Sequence, residues 1–558
     1  MRSILLVVAL VGISQLPGCS QQQPADLVLM GGEVHTVNPK LVDIKAVAIR
    51  DKRIVAAGGE GEMAALIGEG TKVVDLHGQH VYPGFTDAHA HLLDIGDREL
   101  SLSLDGTESS AALLARLKAA VAMAEPGEWV IGRGWIETHW DPPVFPTRQD
   151  LDAVSPDNPV SLERADGHSI VVNSMALALA GIDADTEDPA GGDILRDADG
   201  VPTGMLVDNA MDPVLALFPE RSIPKAQAYR VGAARSARLG WTQIQDAGVS
   251  LSESELQREL AAAGELDVRV YSAVYGPDGD TPTLLELGPF ASDDLMFVRR
   301  AIKIQVDGAL GSRGAALLEP YADADTDGLV RWSEAELLEV YREALRKGIQ
   351  LQTHAIGDRA NRMVLDLYAQ AFRDVPASER AVAEPRWRIE HAQLLAPEDL
   401  PRFAELGVIP SMQPSHAIGD LHFAPTRLGM ERLDGAYAWR ELLDSGVVIP
   451  AGSDAPVEVG DPRIEFYAAV ARQDLEGFSS KGWHPEQAMT REEALKSLTL
   501  WPAIAAFQEK DRGSIAIGKL ADFTVLDTDL LTAPIEEVPE AKVVMTIVNG
   551  RIVHDARH

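Results

Sequence analysis

The chain has little cysteine and a deficit of positive charge, and each shortage excludes a class of protein. Only one of its 558 residues is cysteine, which forbids an internal disulfide and any metal site that needs two thiolates. Lys and Arg total 50 against 85 Asp and Glu, so the net charge of −35 argues against a nucleic-acid partner. The mean hydropathy of −0.04 excludes a polytopic membrane protein. A metal bound here would need nitrogen and oxygen ligands.

The single cysteine, Cys19, lies at the end of a predicted export signal. Residues 1–18 combine Arg2 with an apolar run too short to span a bilayer, which is typical of a signal peptide. Residues 16–19 resemble a bacterial lipobox, so Cys19 is expected to carry a lipid anchor, followed by a polar tether at 19–25. The protein is then expected at the periplasmic face of a bacterial membrane, with Ser20 favouring the outer one. The alternative is an ordinary cleaved signal and a soluble periplasmic protein.

The remaining chain reads as an α/β protein with three parts. Short alternating strands at both termini predict one composite β-sandwich from residues 26–80 and 505–558. Between them, strands alternate with amphipathic helices, which predicts a (β/α)8 TIM-type barrel from 81–96 plus 226–504. Residues 97–225 are predicted to be an insert over the barrel mouth, because a normal connection after a barrel strand is far shorter. The eight candidate barrel strands are 81–88, 241–246, 268–274, 301–307, 349–354, 386–391, 407–412 and 447–453.

Metal-capable side chains recur at the carboxyl ends of these strands, where barrel active sites lie. His89 and His91 are two apart in extended backbone, so both can contact one ion. Lys303 stands among apolar residues of the fourth strand, where an unpaired charge is costly. The other candidates, at the ends of the fifth, sixth and eighth strands, are His354, His391 and Asp454. Each is weak alone, but the set in barrel order predicts a metal centre.

The chain is identified as a member of the amidohydrolase superfamily by that order of ligands. Its flanking motifs resemble the amidohydrolase-3 family, which includes N-substituted formamide deformylase-like and YtcJ-like proteins; they are GFTDAHAH, GRGW, DGH, IKIQVDGALGSRGAALLEPYAD, THAIGDRAN, RIEHAQ, SMQPSHA, GSDAPVE and GSIAIGKLADFTVLD. Two small departures, Gln245 and Ala309, remove no proposed ligand.

The resemblance implies a mechanism and a set of ligands. Lys303 would be carboxylated on its side-chain nitrogen and bridge two divalent ions, zinc being the first choice. His89, His91 and Asp454 would hold one ion, and His354 and His391 the second. Asp454 would orient a metal-activated hydroxide and pass its proton to the leaving group.

The function that follows is hydrolysis of a non-peptide carbon–nitrogen bond in a small molecule, such as an amide, N-substituted formamide or N-acyl compound. Three related reactions stay open, namely opening of a lactone, a carbamate or a cyclic urea. A different class also stays open: a surface lipoprotein that binds a ligand without catalysis. The sequence allows one or two ions per chain and a homodimer, and it fixes neither the number of ions nor the oligomeric state.

The candidate substrate contacts are less specific. His168 in the insert could reach the cavity or belong to a structural turn, and His416 could touch substrate or cap a loop. Arg313 could hold a carboxylate or brace its loop through an ion pair, and Asp307 lies on the same loop. Trp135 could line an apolar pocket or be core. Four further histidines fall in the predicted sandwich and are expected to be non-functional: His35, His77, His80 and His554.

Overall fold

The computed structural model describes residues 23–218, 224–479 and 483–557. The predicted signal peptide and Cys19 lie outside these residues. Within the described ranges, no helix combines the length and hydrophobicity that crossing a membrane requires.

Seven parallel strands form the central sheet, and each pairs with the next one along the chain. A short antiparallel strand, Phe290–Ala291, pairs with the fourth of them. The seven, called the first to seventh barrel strands below, are Phe85–Ala90, Trp241–Val249, Arg269–Gly276, Phe297–Gln305, Gln350–Ala355, Arg388–His391 and Ile409–Ser411. Their nearly closed arrangement confirms the predicted TIM-type barrel.

The eighth barrel strand, predicted at 447–453, is not a regular strand in the described structure. Ala451 makes only an isolated parallel bridge with Met412 and accepts a hydrogen bond from Ala88 N at 3.0 Å. Pro450 has no N–H to donate, and at Gly452 an added Cβ would lie 2.5 Å from His89 N. The segment therefore closes the barrel by direct backbone contact with the first strand, not by a continuous ladder.

The predicted strand 81–88 is wrong in its bounds, because the chain bends at Gly84. Residues His80–Pro83 pair with Glu33–Val34 and with Phe523–Leu526 in a different sheet. Only Phe85–Ala90 enters the barrel. An added Cβ at Gly84 would lie 2.4 Å from Thr242 Oγ1, so only glycine permits this close crossing between the two sheets.

Two sheets, one of N-terminal strands and one that combines strands from both ends of the chain, pack on one shared core. Leu29, Val47, Val81, Phe523 and Ile547 belong to one buried cluster that spans both sheets. This composite unit therefore combines N- and C-terminal segments. The four-stranded sheet contains Leu27–Met30, Ala46–Arg50, Arg53–Gly58 and Lys72–Asp75; the five-stranded sheet contains Glu33–Val34, His80–Pro83, Phe523–Leu526, Val543–Val548 and Arg551–Asp555.

A third unit lies in the chain between the first and second barrel strands. It has its own six-stranded mixed sheet and its own apolar core around Trp135, Trp140 and Leu162. Its strands are Leu102–Ser103, Val130–Trp135, Val160–Arg164, Ser169–Val172, Gly192–Arg196 and Pro202–Asp208, and its helices are Ser110–Val121, Arg148–Asp152, Ser174–Ala180 and Asp212–Leu215.

Amphipathic helices cover the barrel, and the helix Glu334–Lys347 shows why they form. Ser333 and Glu336 make a reciprocal capping box at its start, and Gly348 ends it in the left-handed region. Its buried side chains recur at helical spacing, from Leu337 to Leu345. Outside the insert, the other described α-helices after the first barrel strand are Leu92–Leu100, Lys225–Arg238, Leu251–Ala262, Thr281–Leu287, Asp358–Asp374, Leu400–Leu406, Pro414–Asp420, Ala424–Leu428, Trp439–Asp444, Pro462–Ala471, Arg491–Ser497 and Leu500–Ala505; the helix Glu60–Met63 precedes it.

Candidate active site

His89 lies at the centre of the predicted ligand cluster, at the end of the first barrel strand. It is fully buried, and its Nδ1 lies 2.5 Å from Glu390 Oε2 on the sixth strand. With Nδ1 engaged, Nε2 faces the cluster, 2.9 Å from Lys303 Nζ and 3.4 Å from Asp454 Oδ1. The carboxylate partner fixes the ring orientation, as is usual for metal-binding histidines.

Asp454, which follows the eighth barrel segment, contacts the first barrel strand at this point. Its Oδ1 lies 3.1 Å from His91 Nε2, and its backbone N–H donates to His89 O at 2.6 Å. Its φ of 57° is a left-handed conformation that costs energy outside glycine and concentrates at functional sites. Burial alone would raise the pKa of Asp454, but its interactions with His89 and His91 outweigh burial and hold the pKa below its usual value.

Lys303 and two more histidines complete the cluster. Lys303 is 1% exposed, and burial lowers the pKa of its amine to about 8. The rings of His354 and His391 are 4.4 Å apart, and burial lowers the pKa of His354 to about 3. His354 Nε2 has no hydrogen-bond partner among the described residues, although Asp307 Oδ1 lies 3.4 Å away. Burial also lowers the pKa of His391 well below 6.5, so the two histidines are neutral nitrogen donors held in position.

The donor set fits a divalent ion. Ligand-capable atoms of His89, His391 and Asp454 all lie within 4.8 Å of one another, and all three residues are buried. His391 is held through Nδ1, 2.8 Å from Gln413 Oε1, in a left-handed conformation with φ 71°. Imidazole and carboxylate ligands of this kind suit zinc and related ions.

Glu390 supports this cluster from the sixth strand, facing the barrel interior. Its Oε1 lies 2.7 Å from Arg388 Nε, and both side chains are fully buried. Arg388 in turn donates to Ala88 O at 2.6 Å and Ser411 Oγ at 2.7 Å, which ties the sixth strand to the first and the seventh. The arginine therefore compensates the carboxylate that holds His89.

A cavity of about 390 Å³ opens above the cluster. Lys303, His354, His391 and Asp454 line its floor. On one wall, burial raises the pKa of Glu458 to about 8, while Gln393 Oε1 has no hydrogen-bond partner within the described chain. The opposite wall comes from the insert. The cavity therefore offers an unpaired oxygen acceptor, Gln393 Oε1, close to the metal-capable cluster.

His168 of the insert reaches this cavity, as one of the two sequence interpretations predicted. Its Nδ1 lies 2.6 Å from Asp208 Oδ1, and its ring centroid is 5.4 Å from that of His354. Burial alone would lower the pKa of His168, but Asp208 outweighs burial and raises the pKa above 6.5. Asp208, with φ 46°, packs closely against the barrel: added Cβ atoms at Gly308 and Gly314 would lie 2.6 and 2.8 Å from its Oδ2.

His416 also lines the cavity, and its ring stacks on that of His391 with centroids 5.8 Å apart.

Three predicted substrate contacts are not among the residues that line the cavity in the described structure. Trp135 is buried in the core of the insert and donates to Leu162 O at 2.9 Å. Arg313 pairs with Asp323 at 2.8 Å on its own loop. Asp307 accepts backbone N–H groups, including Ile356 N at 3.0 Å, so it braces the loops after the fourth and fifth strands. The three side chains are therefore occupied by contacts within the insert core and the barrel loops.

Several cavity residues were missed by the sequence reasoning. Gln393 lies two positions after the predicted ligand His391, just beyond the end of the sixth strand, and this nearness in sequence was the only signal that could have found it. Glu458 and Arg164 have no such signal, because turns and the insert bring them in. Arg164 is held by Glu137 at 2.8 Å and Asp166 at 2.5 Å, which neutralise its charge within the wall.

Comparisons with known proteins agree with this architecture over nearly the whole chain. Residues 72–554 match the model of the "Amidohydrolase family". The chain is 33% identical over 540 residues to the putative amidohydrolase YtcJ of Bacillus subtilis (strain 168), covering 94% of this chain and 98% of that protein. It is 30% identical over 556 residues to N-substituted formamide deformylase of Arthrobacter pascens, covering 95% and 98%. An uncharacterized metal-dependent hydrolase from Pyrococcus horikoshii OT3 superposes with a TM-score of 0.73 at 26% identity, covering 91% of this chain and 99% of that structure.

Proposed function

The chain belongs to the amidohydrolase family and is a metal-dependent hydrolase, and from this premise we propose that it cleaves a non-peptide carbon–nitrogen bond in a small molecule. The observation that carries the proposal is the cluster of His89, His91, Lys303, His354, His391 and Asp454, of which all but the fully buried His89 line one cavity. Ligand-capable groups from both ends of the barrel converge there, as a metal-dependent hydrolase requires.

We assign the metal as zinc, in one or two ions per chain. A bound divalent ion supplies Lewis acidity toward a carbonyl oxygen and lowers the pKa of water. His89, His91 and Asp454 would hold one ion, and His354 and His391 the other. The neutral state of the buried imidazoles suits this role, because a metal ligand must offer an unprotonated nitrogen.

Carboxylation of Lys303 is part of the proposal. The uncharged amine would attack carbon dioxide, forming a nitrogen–carbon bond and releasing one proton, to give a carbamate anion. Full burial favours this, since the lysine pKa of about 8 leaves a fraction of the amine unprotonated near neutrality. The product would place two oxygen donors beside His89 Nε2, which now lies 2.9 Å from the lysine nitrogen.

Asp454 and His168 have complementary proposed roles. Asp454 accepts the proton of the attacking water on its carboxylate and delivers it to the leaving nitrogen. His168 is held through Nδ1 by Asp208, so Nε2 is the atom left to donate a hydrogen bond toward the carbonyl oxygen of the substrate. Asp208 acts as a positioning residue, because it touches the histidine and not the substrate.

The unpaired Gln393 Oε1 of the cavity supports a nitrogen-containing substrate over an ester or lactone. Gln393 Oε1 and the carboxyl oxygens of Glu458 can accept N–H groups, which an amide or amine supplies and an ester lacks. One relative is named as an N-substituted formamide deformylase, which supports the same bond class. Opening of a lactone, carbamate or cyclic urea remains the second candidate because the same cluster serves any carbonyl.

A chromogenic pair tests the bond class. We expect the zinc-loaded enzyme to release p-nitroaniline from p-nitroformanilide or p-nitroacetanilide. The ratio of its kcat/KM for these anilides to its kcat/KM for p-nitrophenyl acetate should exceed the ratio of the corresponding rate constants for free hydroxide. Asp454→Asn should lose at least about 100-fold in kcat, since it removes the proton carrier. Asp366→Asn, a 64% exposed surface aspartate, is the matched control and should retain full activity. Binding without turnover in any substrate would favour the non-catalytic lipoprotein instead.

Lipid anchoring through Cys19 at the periplasmic face of a membrane is a separate proposal, supported by residues 16–19 alone. Labelled palmitate should enter the wild-type protein in cells and not Cys19→Ala. Equal labelling of the two would refute anchoring and leave a soluble exported protein.

A further inference from the structure

A second cluster of metal-capable side chains lies in the composite sheets, apart from the barrel site. Strand His80–Pro83 is central there: Glu33–Val34 pairs on one side and Phe523–Leu526 on the other. His80 begins the central strand, His35 follows the first neighbour, and Asp529 follows the second by three residues. Three separate segments therefore bring His35, His80 and Asp529 to one point.

The distances match the edges of a small coordination polyhedron. His35 Nε2 lies 3.2 Å from His80 Nδ1 and 3.5 Å from Asp529 Oδ1. Ligand atoms at ~2.0–2.1 Å from a tetrahedral zinc lie about 3.3 Å apart. One ligand atom from each residue falls within 4.8 Å of the others. All three side chains are half-buried, so an ion could enter from solvent and keep a water ligand.

Tyr82 orients the cluster from the same strand face as His80. Its ring stacks on His35 with centroids 4.6 Å apart and planes within 7°. Its hydroxyl lies 3.3 Å from Asp529 Oδ1 and accepts from Leu530 N at 2.9 Å. Outer groups that hold ligands in this way commonly accompany real metal sites.

We propose that His35, His80 and Asp529 form a structural site for a zinc-like divalent ion, separate from catalysis. Two imidazoles and one carboxylate are the ligand types that such an ion prefers. The ion would link a segment near residue 35 to one near residue 529 across the central strand. Its function is to stabilise the junction between the two ends of the chain. The competing arrangement is a hydrogen bond between the two histidines with no ion.

Counting zinc in matched variants tests the site. Each full-length protein is saturated with zinc, dialysed against metal-free buffer and analysed by mass spectrometry for zinc per chain. His80→Gln and His35→Gln should each hold one zinc fewer than wild type. His77→Gln is the control: it is three residues from His80, but its side chain is 73% exposed and pairs only with neighbouring Asp75 among the described contacts. It should match wild type.

Thermal melts with and without zinc separate the two arrangements. The increase in Tm caused by added zinc should be larger in wild type and His77→Gln than in His80→Gln, by about 2 °C or more. The hydrolase activity of all three proteins should stay equal. Tyr82→Phe should keep the site but bind zinc about 10-fold more weakly. Zinc counts in His80→Gln and His35→Gln equal to wild type would overturn the proposal. Melts in chelator that match wild type would show that both variants fold.

Discussion

Replacing Glu390 by glutamine is the sharpest test of how the barrel holds its metal ligands. The side chain is fully buried, contacts His89 Nδ1 at 2.5 Å and is compensated by Arg388 at 2.7 Å. Glutamine has nearly the same shape, so Glu390→Gln removes one charge and leaves the packing intact. The buried guanidinium then lacks its anion, and His89 loses a charged acceptor.

Two magnitudes follow from these contacts. Breaking a buried ion pair on one side costs about 3–5 kcal/mol. Glutamine keeps one oxygen that can still accept from Arg388, so we expect the lower end, about 3 kcal/mol. Removing the group that orients a metal-binding histidine lowers metal affinity about 10- to 100-fold. Both effects arise from one carboxylate and should appear together.

Zinc affinity by competition with a chelating dye and urea unfolding of the metal-free protein measure the two effects separately. Glu465→Gln is the matched control, because this glutamate is also buried and accepts from Ser415 N at 2.9 Å. Burial raises the pKa of Glu465 well above 4.5, and this glutamate makes no ion pair among the described contacts, so its replacement breaks none. If Glu390→Gln bound zinc as tightly as wild type, the carboxylate would not be orienting His89 as argued.

Three further predictions follow from other contacts. Glu465→Gln should be more stable than wild type at pH 8 in urea melts, and the difference should vanish towards pH 4. The reason is that the folded carboxyl keeps a proton that the unfolded carboxyl has lost, so the stability of the wild type falls as the pH rises above 4.5. Equal stability at both pH values would contradict this. Gly452→Ala should lose most activity and about 1–3 kcal/mol in unfolding free energy, because its Cβ would lie 2.5 Å from His89 N; unchanged turnover would show that the contact is tolerated. Asp208→Asn should lower kcat about 10-fold with zinc content unchanged, whereas loss of zinc would mean that Asp208 supports the metal instead.

The barrel and its ligand-bearing strand ends were predictable because both depend on short periodicities. Alternation in extended backbone placed His89 and His91 on one face, and apolar runs followed by helical patterns indicated parallel strands. The structure brings His354, His391 and Asp454 to the same point. Each of these signals is local, lying within a few residues of the side chain concerned.

The rest depends on contacts between segments far apart in the chain. Nothing near Trp135 distinguishes the core of the insert from a cavity wall, and Arg313 is taken up by an ion pair ten residues away. The pairing of His168 with Asp208 requires the antiparallel pairing of Ser169–Val172 with Pro202–Asp208, two strands that are not consecutive in the chain, and a left-handed backbone at Asp208. Gly84 bends a run of apolar residues that reads as one strand into two different sheets.

The strand His80–Pro83 constrains the order in which this protein folds during its synthesis. Next to it, Phe85 N bonds to Thr524 Oγ1, 439 positions further along the chain. During synthesis the early strand must wait, with an unpaired edge, until almost the entire chain has emerged. Such distant contacts slow folding, and an open apolar edge invites association with other chains. Variants truncated before residue 523 would leave that strand edge permanently unpaired. We therefore expect these variants to aggregate even though they contain every barrel strand.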